Sequence, residues 1–237
     1  MLVRAVLVES KINGRLFCIR NRQTVRDLSR SAENTRRRDG ELDRGQNLAV
    51  VGPSGSGKST FLQIVGSLDT PTSGTVDLLG TNPHELKGKQ LAQFRNENVG
   101  FVFQQHHLLP QLTALENVLV PVLANGAVDS RATDAGRELL DQVGLGDRVD
   151  HRPGQLSGGE CQRVAVARSL IRQPALMLAD EPTGSLDHKN AERIGELLLE
   201  MQEKHNTILI CVTHSDRLAR LFQASTTIND GKFEKVA

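Results

Sequence analysis

Val50-Val51-Gly52-Pro53-Ser54-Gly55-Ser56-Gly57-Lys58-Ser59-Thr60 is the stretch from which the fold can be read. Gly52, Gly57, Lys58 and Ser59 satisfy the pattern G-x-x-x-x-G-K-[ST]. Leu48 to Val51 ahead of it form a short apolar run suited to a buried strand. Phe61, Leu62, Ile64, Val65 and Leu68 behind it recur at helical spacing. Strand, glycine loop and helix start together make an anion site. The glycines let backbone N–H groups of residues 52 to 60 curl around phosphate oxygens, and the helix N-terminus adds its partial positive charge. In such a cradle Lys58 reaches the β- and γ-phosphates, and the Ser59 hydroxyl ligates Mg2+.

Composition narrows the class of partner. The chain of 237 residues is long enough for one large domain or two small ones, and for a sizeable core. Its 29 basic and 28 acidic residues nearly cancel, which argues against a nucleic-acid footprint spread over the surface. The run Arg36-Arg37-Arg38 is local and reads as a solvated loop. Cys18, Cys161 and Cys211 are scattered, without metal spacing or a disulfide framework, which fits a reducing compartment. No apolar run approaches the ~18 residues of a membrane span. Met1 to Ser10 is too short for a signal peptide. The expectation is a cytosolic protein, any membrane role needing a partner.

Along the chain, strands are expected at Leu2–Val8, Leu16–Ile19 and Val25–Ser31, with a charged loop from Ala32 to Gly40. After the phosphate loop, the pattern predicts a strand at Thr75–Leu79, a helix at Leu86–Asn96 and an apolar strand at Val99–Phe103. Leu115 to Leu123 is apolar but interrupted by Pro121. Helical stripes follow at Arg131–Val143 and Glu160–Gln173, then a buried strand at Ala175–Ala179. A strongly amphipathic helix at Asn190–Lys204 leads to a strand at Thr207–Val212. A helix at Asp216–Phe222 and a strand around Thr226–Ile228 close the chain. Strands alternating with helices imply an α/β fold with a mostly parallel sheet covered on both faces.

Two further segments carry chemistry. Asp180 and Glu181 close a buried strand, where open parallel sheets present ligand groups. Asp180 there helps to hold Mg2+ through water, and Glu181 polarises an attacking water. Paired acids at such a place also cap helices. Leu156-Ser157-Gly158-Gly159-Glu160 opens a helix and forms a second anion site. One nucleotide cannot easily use both nests, so the physical reading is that a second copy donates Ser157 and Gly159 to the γ-phosphate. An ordinary serine cap followed by flexible glycines is the plainer alternative.

GPSGSGKST, Gln104 after VGFVF, LSGGE, LMLADEP, Ser185-Leu186-Asp187 and His214 occur in the order of ATP-binding cassette ATPases. The chain resembles that family from about Leu42 to Gly231. The resemblance implies a P-loop NTPase fold with a helical signature subdomain at about 86–156 and a reduced N-terminal β portion, all in one nucleotide-binding domain over 1–237. It implies ATP and Mg2+ as cofactors, with Gln104 touching Mg2+ or the attacking water, His214 on the γ-phosphate and Asp187 at a dimer seam. Ser157, Gly158 and Gly159 would complete the site from a second copy.

Longer phrases such as FRNENVGFVFQQHHLLPQLTALENV and LADEPTGSLD resemble the lipoprotein-releasing, macrolide-export and cell-division branch. Members of that branch are single cassettes working as homodimers under integral-membrane permease subunits. The implied place is the cytoplasmic face of the inner membrane, peripheral, with no nucleic acid bound. His106 to Leu112 would then receive a cytoplasmic helix of the permease. A soluble cassette acting on DNA or ribosomes would need long insertions, and the roughly hundred residues between Lys58 and Ser157 leave no room for them. A nucleotide-binding scaffold with little turnover is the other alternative.

Two departures stand out. Family members stack adenine on an aromatic shortly before the phosphate loop, whereas this chain has no Tyr or Trp and only Phe17 upstream of Gly52. Cys161 stands where the branch carries a basic or polar residue.

Overall fold

The computed structural model describes residues 17–20, 40–72 and 74–233. The strands expected at 2–8 and 25–31, and most of the loop expected at 32–40, lie outside the described residues. Strand β1 (Phe17–Arg20) pairs in parallel with β2 (Gly40–Asp43) in a two-stranded sheet. Among the described residues the main sheet has six strands: β3 (Asn47–Val51), β4 (Val99–Val102), β5 (Leu176–Asp180), β6 (Ile208–Thr213), β7 (Ala224–Asn229) and β8 (Lys232–Phe233). Their order is β4-β5-β6-β3-β7-β8, parallel except for the β7–β8 hairpin. Parallel strands all end on one edge, so the segments that follow β3, β4, β5 and β6 emerge together. That edge gathers Gly52, Gln104, Glu181 and His214 from positions far apart in the chain.

Alternation along the strands divides the core in two. Leu48 and Val50 of β3, Leu176 and Leu178 of β5, and Ile208, Ile210 and Val212 of β6 pack with Phe61, Leu62, Ile64 and Val65 of α1 (Lys58–Val65). Ala49, Met177, Ala179, Leu209 and Cys211 point the other way. They meet α5 (Gly158–Leu170) and α6 (His188–Lys204), with α3 (Ala114–Leu123) and α4 (Ser130–Gln142) in the same cluster. Strands buried on both faces need apolar residues at every position, which is why LMLA and ILICV read as unbroken runs. The short α7 (Asp216–Ala219) completes that second layer through Leu218 and Ala219. Asn47 fastens one end of the sheet: its amide donates to Gln202 of α6, and its carbonyl oxygen accepts from Gln223 N–H.

Several sequence-based expectations need correction. Thr75–Leu79 is not a strand: among the described residues only a Leu78–Thr81 bridge forms there, around a turn with Leu79 and Gly80 at positive φ. The alternation nonetheless marks burial, because Val76 and Leu78 both enter the core beside α1. Helix α2 (Gly88–Asn98) begins and ends two residues later than expected, running directly into β4. Ala114–Leu123 is a helix despite Pro121. That proline falls in the last turn, and Thr113 and Glu116 close the first turn with a reciprocal capping box. Helix α1 ends at Val65 and leaves Leu68 exposed, and α7 ends at Ala219, short of Phe222. Strand β8 was not expected at all, two residues being too few for any periodicity.

Gly100 of β4 passes against α5 so closely that a Cβ would lie 2.2 Å from the carbonyl oxygen of Ser169. Backbone cannot yield as a side-chain tip can, so Gly100→Ala is expected to destabilise the protein by at least ~1–3 kcal/mol. Urea unfolding should show a lower midpoint for this variant.

Candidate functional site

The glycine-rich loop, residues 52 to 57, is shaped by its neighbours as well as by its glycines. A Cβ on Gly52 would stand 2.3 Å from the carbonyl oxygen of Ile228 in β7 and 2.8 Å from Ser56 Oγ. Gly57 caps α1 with φ of 99°, a left-handed conformation that side chains resist. From the β7–β8 turn, Gly231 N–H donates to the Ser56 carbonyl at 3.0 Å. The last hairpin therefore braces the loop from one side. Phe233 of β8 packs edge-on against Phe61 of α1, which extends the brace to the helix behind the loop.

Lys58 is buried, and its ammonium donates to the carbonyls of Gly52 at 2.8 Å and Pro53 at 3.0 Å. It also lies 3.7 Å from a Glu181 oxygen. Ser59 Oγ donates to Asp180 Oδ1 at 3.1 Å. Burial pushes the Asp180 carboxyl above the ordinary aspartate range, helped by the Glu181 charge and opposed by the Ser59 hydrogen bond and Lys58. Two neighbouring carboxylates and a hydroxyl make a hard-oxygen donor set, and partial burial of one acid with an incompletely matched charge suits a divalent cation such as Mg2+.

Glu181 has φ of 44°, which is costly for a residue with a side chain. Its backbone is held there by Glu181 N–H to Val212 O and Gly184 N–H to Glu181 O. The conformation turns the side chain across the strand ends toward β6. Glu181 Oε2 accepts from His214 N–H at 3.1 Å and faces His214 Nδ1 at 2.8 Å. A carboxylate only accepts, so the imidazole proton in that contact sits on Nδ1. Lys58, Glu181 and His214 thus form one connected polar group, with the Ser59–Asp180 pair beside it.

Gln104 leaves β4 on the same edge and is exposed. Its carbonyl accepts from Ser185 Oγ at 3.1 Å, and a Cβ on Gly184 would meet its amide nitrogen at 2.7 Å. Asp187 caps α6 by accepting from Asn190 N–H and from the Asn190 amide. Ser157 caps α5 in a second capping box with Glu160. Gly158 and Gly159 lie beside Leu186 and Asn190, so the segment 156–160 rests on the 184–190 segment of its own chain. The predicted residues consequently fall into two groups, one around Lys58 and one around Ser157, with residues 181–190 running between them.

Residues outside the sequence motifs hold these loops in place. Gln162 of α5 is buried and donates to Phe103 O at 2.9 Å, and Arg168 of the same helix donates to His107 O and His106 O. A glutamine and an arginine on the sheet-facing side of an otherwise apolar stripe were the available signal. Asn117, fully buried in α3, both donates to and accepts from Leu109, fixing the turn at 109–113. Within the Leu/Pro-rich stretch, Leu108 is buried while Leu109 is exposed. Cys161 faces inward, its thiol toward Pro153 O, so a small buried side chain replaces the polar one without an exposed thiol. Phe17 starts β1, and its side chain lies outside those described.

A glycine-rich loop after β3, a pair of acids at the end of β5 on the same sheet edge and a glycine-rich capping segment define a cassette-type nucleotide-binding protein. The sequence profile of the ABC transporter family matches residues 36–184, and the chain belongs to that family. It is 53% identical over 191 residues to the lipoprotein-releasing system ATP-binding protein LolD 1 of Rhodopirellula baltica, covering 81% of this chain and 83% of the relative. It is 47% identical over 193 residues to LolD of Bacteroides fragilis, covering 81% and 89%. Among solved structures, a dimeric post-hydrolysis state of the ATP-binding cassette MJ0796 bound to ADP and Pi matches with a TM-score of 0.74. Identity there is 34%, over all of this chain and 97% of that one. CbiO1 of Clostridium perfringens, at 22% identity and a TM-score of 0.78, shares the fold. The protein is an ABC ATPase of the LolD type with a mostly parallel α/β core.

Asp180 is raised by burial, so its ionised form costs stability at neutral pH, and that cost disappears as pH falls and the carboxyl protonates. Asp180→Asn is therefore expected to leave the apoprotein as stable or more stable at pH 7 in thermal unfolding. The same variant should lose ATP hydrolysis by about a hundredfold, as removal of an electrostatic partner does elsewhere. A variant that melts earlier yet hydrolyses normally would remove Asp180 from the site.

Proposed function

We propose that this chain is the ATP-hydrolysing subunit of a transporter that energises release of lipoproteins from the inner membrane through separate permease subunits. The observation that carries the reading is the connected group Lys58–Glu181–His214 beside Ser59–Asp180, assembled at the strand ends above a phosphate loop. The lipoprotein part is supported by the names of the most similar curated relatives.

ATP would lie with its phosphates over residues 52 to 60, where Gly52, Pro53, Ser54, Gly55, Ser56, Gly57 and Thr60 present backbone groups. Lys58 already faces the loop's interior, and exchanging its two carbonyl acceptors for β- and γ-phosphate oxygens needs only a side-chain movement. Ser59 and Asp180, with Gln104 after the neighbouring strand, are the residues that would hold Mg2+. Bound there, the ion would supply positive charge to neutralise the phosphates. Glu181 accepts a proton from water as the water oxygen bonds to the γ-phosphorus. The bond from that phosphorus to the β–γ bridging oxygen breaks, giving ADP and phosphate. His214, oriented by Glu181 through Nδ1–H, bonds the γ-phosphate when Nε2 also carries a proton, since both ring nitrogens donate only in the imidazolium.

Ser157, Gly158 and Gly159 of a second copy close the site over the triphosphate, with Asp187 at the seam. The dimeric cassette of similar fold supports this pairing. Residues 1–237 then form one nucleotide-binding domain, and His106 to Leu112, carrying exposed Leu109, receives the permease. No helix among the described residues is long and apolar enough to cross a membrane. A peripheral place on the cytoplasmic face follows from dependence on that partner.

Glu181→Gln keeps the shape and removes the proton acceptor. Phosphate release should fall by about 10²–10⁴-fold, while ATP should now trap a dimer visible by size-exclusion chromatography with light scattering. Hydrolysis at the normal rate in this variant would take Glu181 out of its role. Added permease stimulating wild-type turnover separates a working ATPase from a scaffold.

A further inference from the structure

The Ser157 hydroxyl is already engaged within its own chain. Its oxygen lies 2.7 Å from Glu160 Oε2, and Ser157 N–H reaches the same carboxylate oxygen at 2.7 Å. The Glu160 N–H in turn donates to Ser157 Oγ at 3.3 Å. A serine has a single hydroxyl proton. While that proton is held by Glu160, only oxygen lone pairs remain to face an approaching anion, and those repel a phosphate. The same kind of box closes α3 through Thr113 and Glu116, so the box alone is a helix-end device. What differs at α5 is that its cap is the serine assigned to a second copy's nucleotide.

We infer that Glu160 is a positioning residue that latches the Ser157 hydroxyl and opposes closure of the ATP-bound pair until the γ-phosphate wins the proton. The inference rests on the closed-pair reading above. Two anions compete for one O–H: the Glu160 carboxylate and the γ-phosphate of the nucleotide held by the other copy. When the phosphate takes the proton, the carboxylate is not stranded. It keeps Ser157 N–H, and Arg148 Nε lies 4.0 Å from its second oxygen. Both Ser157 hydrogen bonds hold the carboxyl below the ordinary glutamate range, so the latch carries its charge throughout neutral pH. The negative charge also stands beside the place where triphosphate must arrive, which raises the ATP concentration needed for closure.

The test uses the full chain with Glu181→Gln, in which ATP-bound pairs accumulate, and reads the ATP concentration giving half-maximal dimer. Adding Glu160→Gln removes the charge while an amide oxygen can still accept from Ser157 N–H. A latch predicts closure at about tenfold lower ATP, the difference between a charge-assisted and a neutral hydrogen bond. A merely structural cap predicts the opposite sign, since weakening the box frays α5 and raises the ATP requirement. An unchanged or raised requirement overturns the latch. Ser157→Ala in the same background keeps the two ideas apart. Normal dimer formation by that variant sinks the closed-pair reading itself. Impaired dimer formation, with Glu160→Gln shifting nothing, sinks the latch alone.

Discussion

A buried ammonium must be surrounded by acceptors, and nearly everything at this site follows from where Lys58 finds them. Its own loop supplies two carbonyls and β5 supplies a carboxylate. Burying such a charge without partners would cost several kcal/mol, so the loop and the strand end are bound to adopt mutually compatible positions. Glu181 reaches the ammonium only because its backbone takes a left-handed turn at the end of β5. The same turn brings its other oxygen to His214 on β6. One cation thereby ties three strand ends to one another before any nucleotide is present.

Charge at the site is arranged around something to come. Asp180 pays for its place with a raised pKa, its carboxylate sharing a confined edge with Glu181 while Lys58 offsets only part of the charge. Directly beneath, the Cys211 thiol is pushed far up by burial and by the two acids, so it stays protonated and serves as packing. Oxygen donors are concentrated at the loop mouth and apolar side chains below it. Such a boundary favours a hard cation and phosphate oxygens over water.

The second group of residues reaches this edge through α5. Gln162 and Arg168 grip the carbonyls of residues 103, 106 and 107, and Ser185 holds that of Gln104. The helix that begins at Ser157 is therefore hydrogen-bonded to the segment carrying Gln104, and its first turn rests on the segment that leads from Glu181 to Asp187. A rigid helix fastened at both places gives mechanical meaning to motifs that are otherwise separate words in the chain.

Much of this was legible locally. The strand–loop–helix around Gly52, the buried runs at β5 and β6, and the amphipathic face of α6 follow from patterns within a dozen residues, where spacing and burial coincide. Where partners lie far off in sequence, local pattern misled or fell silent. Thr75–Leu79 alternates like a strand and buries like one, yet no ladder forms among the described residues. Pro121 hid a helix whose capping box could be read only with its start in view. By itself the sequence determined the chemistry, because phosphate chemistry requires these residue types at these spacings. Tertiary structure alone decided their meeting: parallel strand order brings Lys58, Asp180, Glu181 and His214 to one edge, and only that juxtaposition fixes which oxygen accepts from which donor.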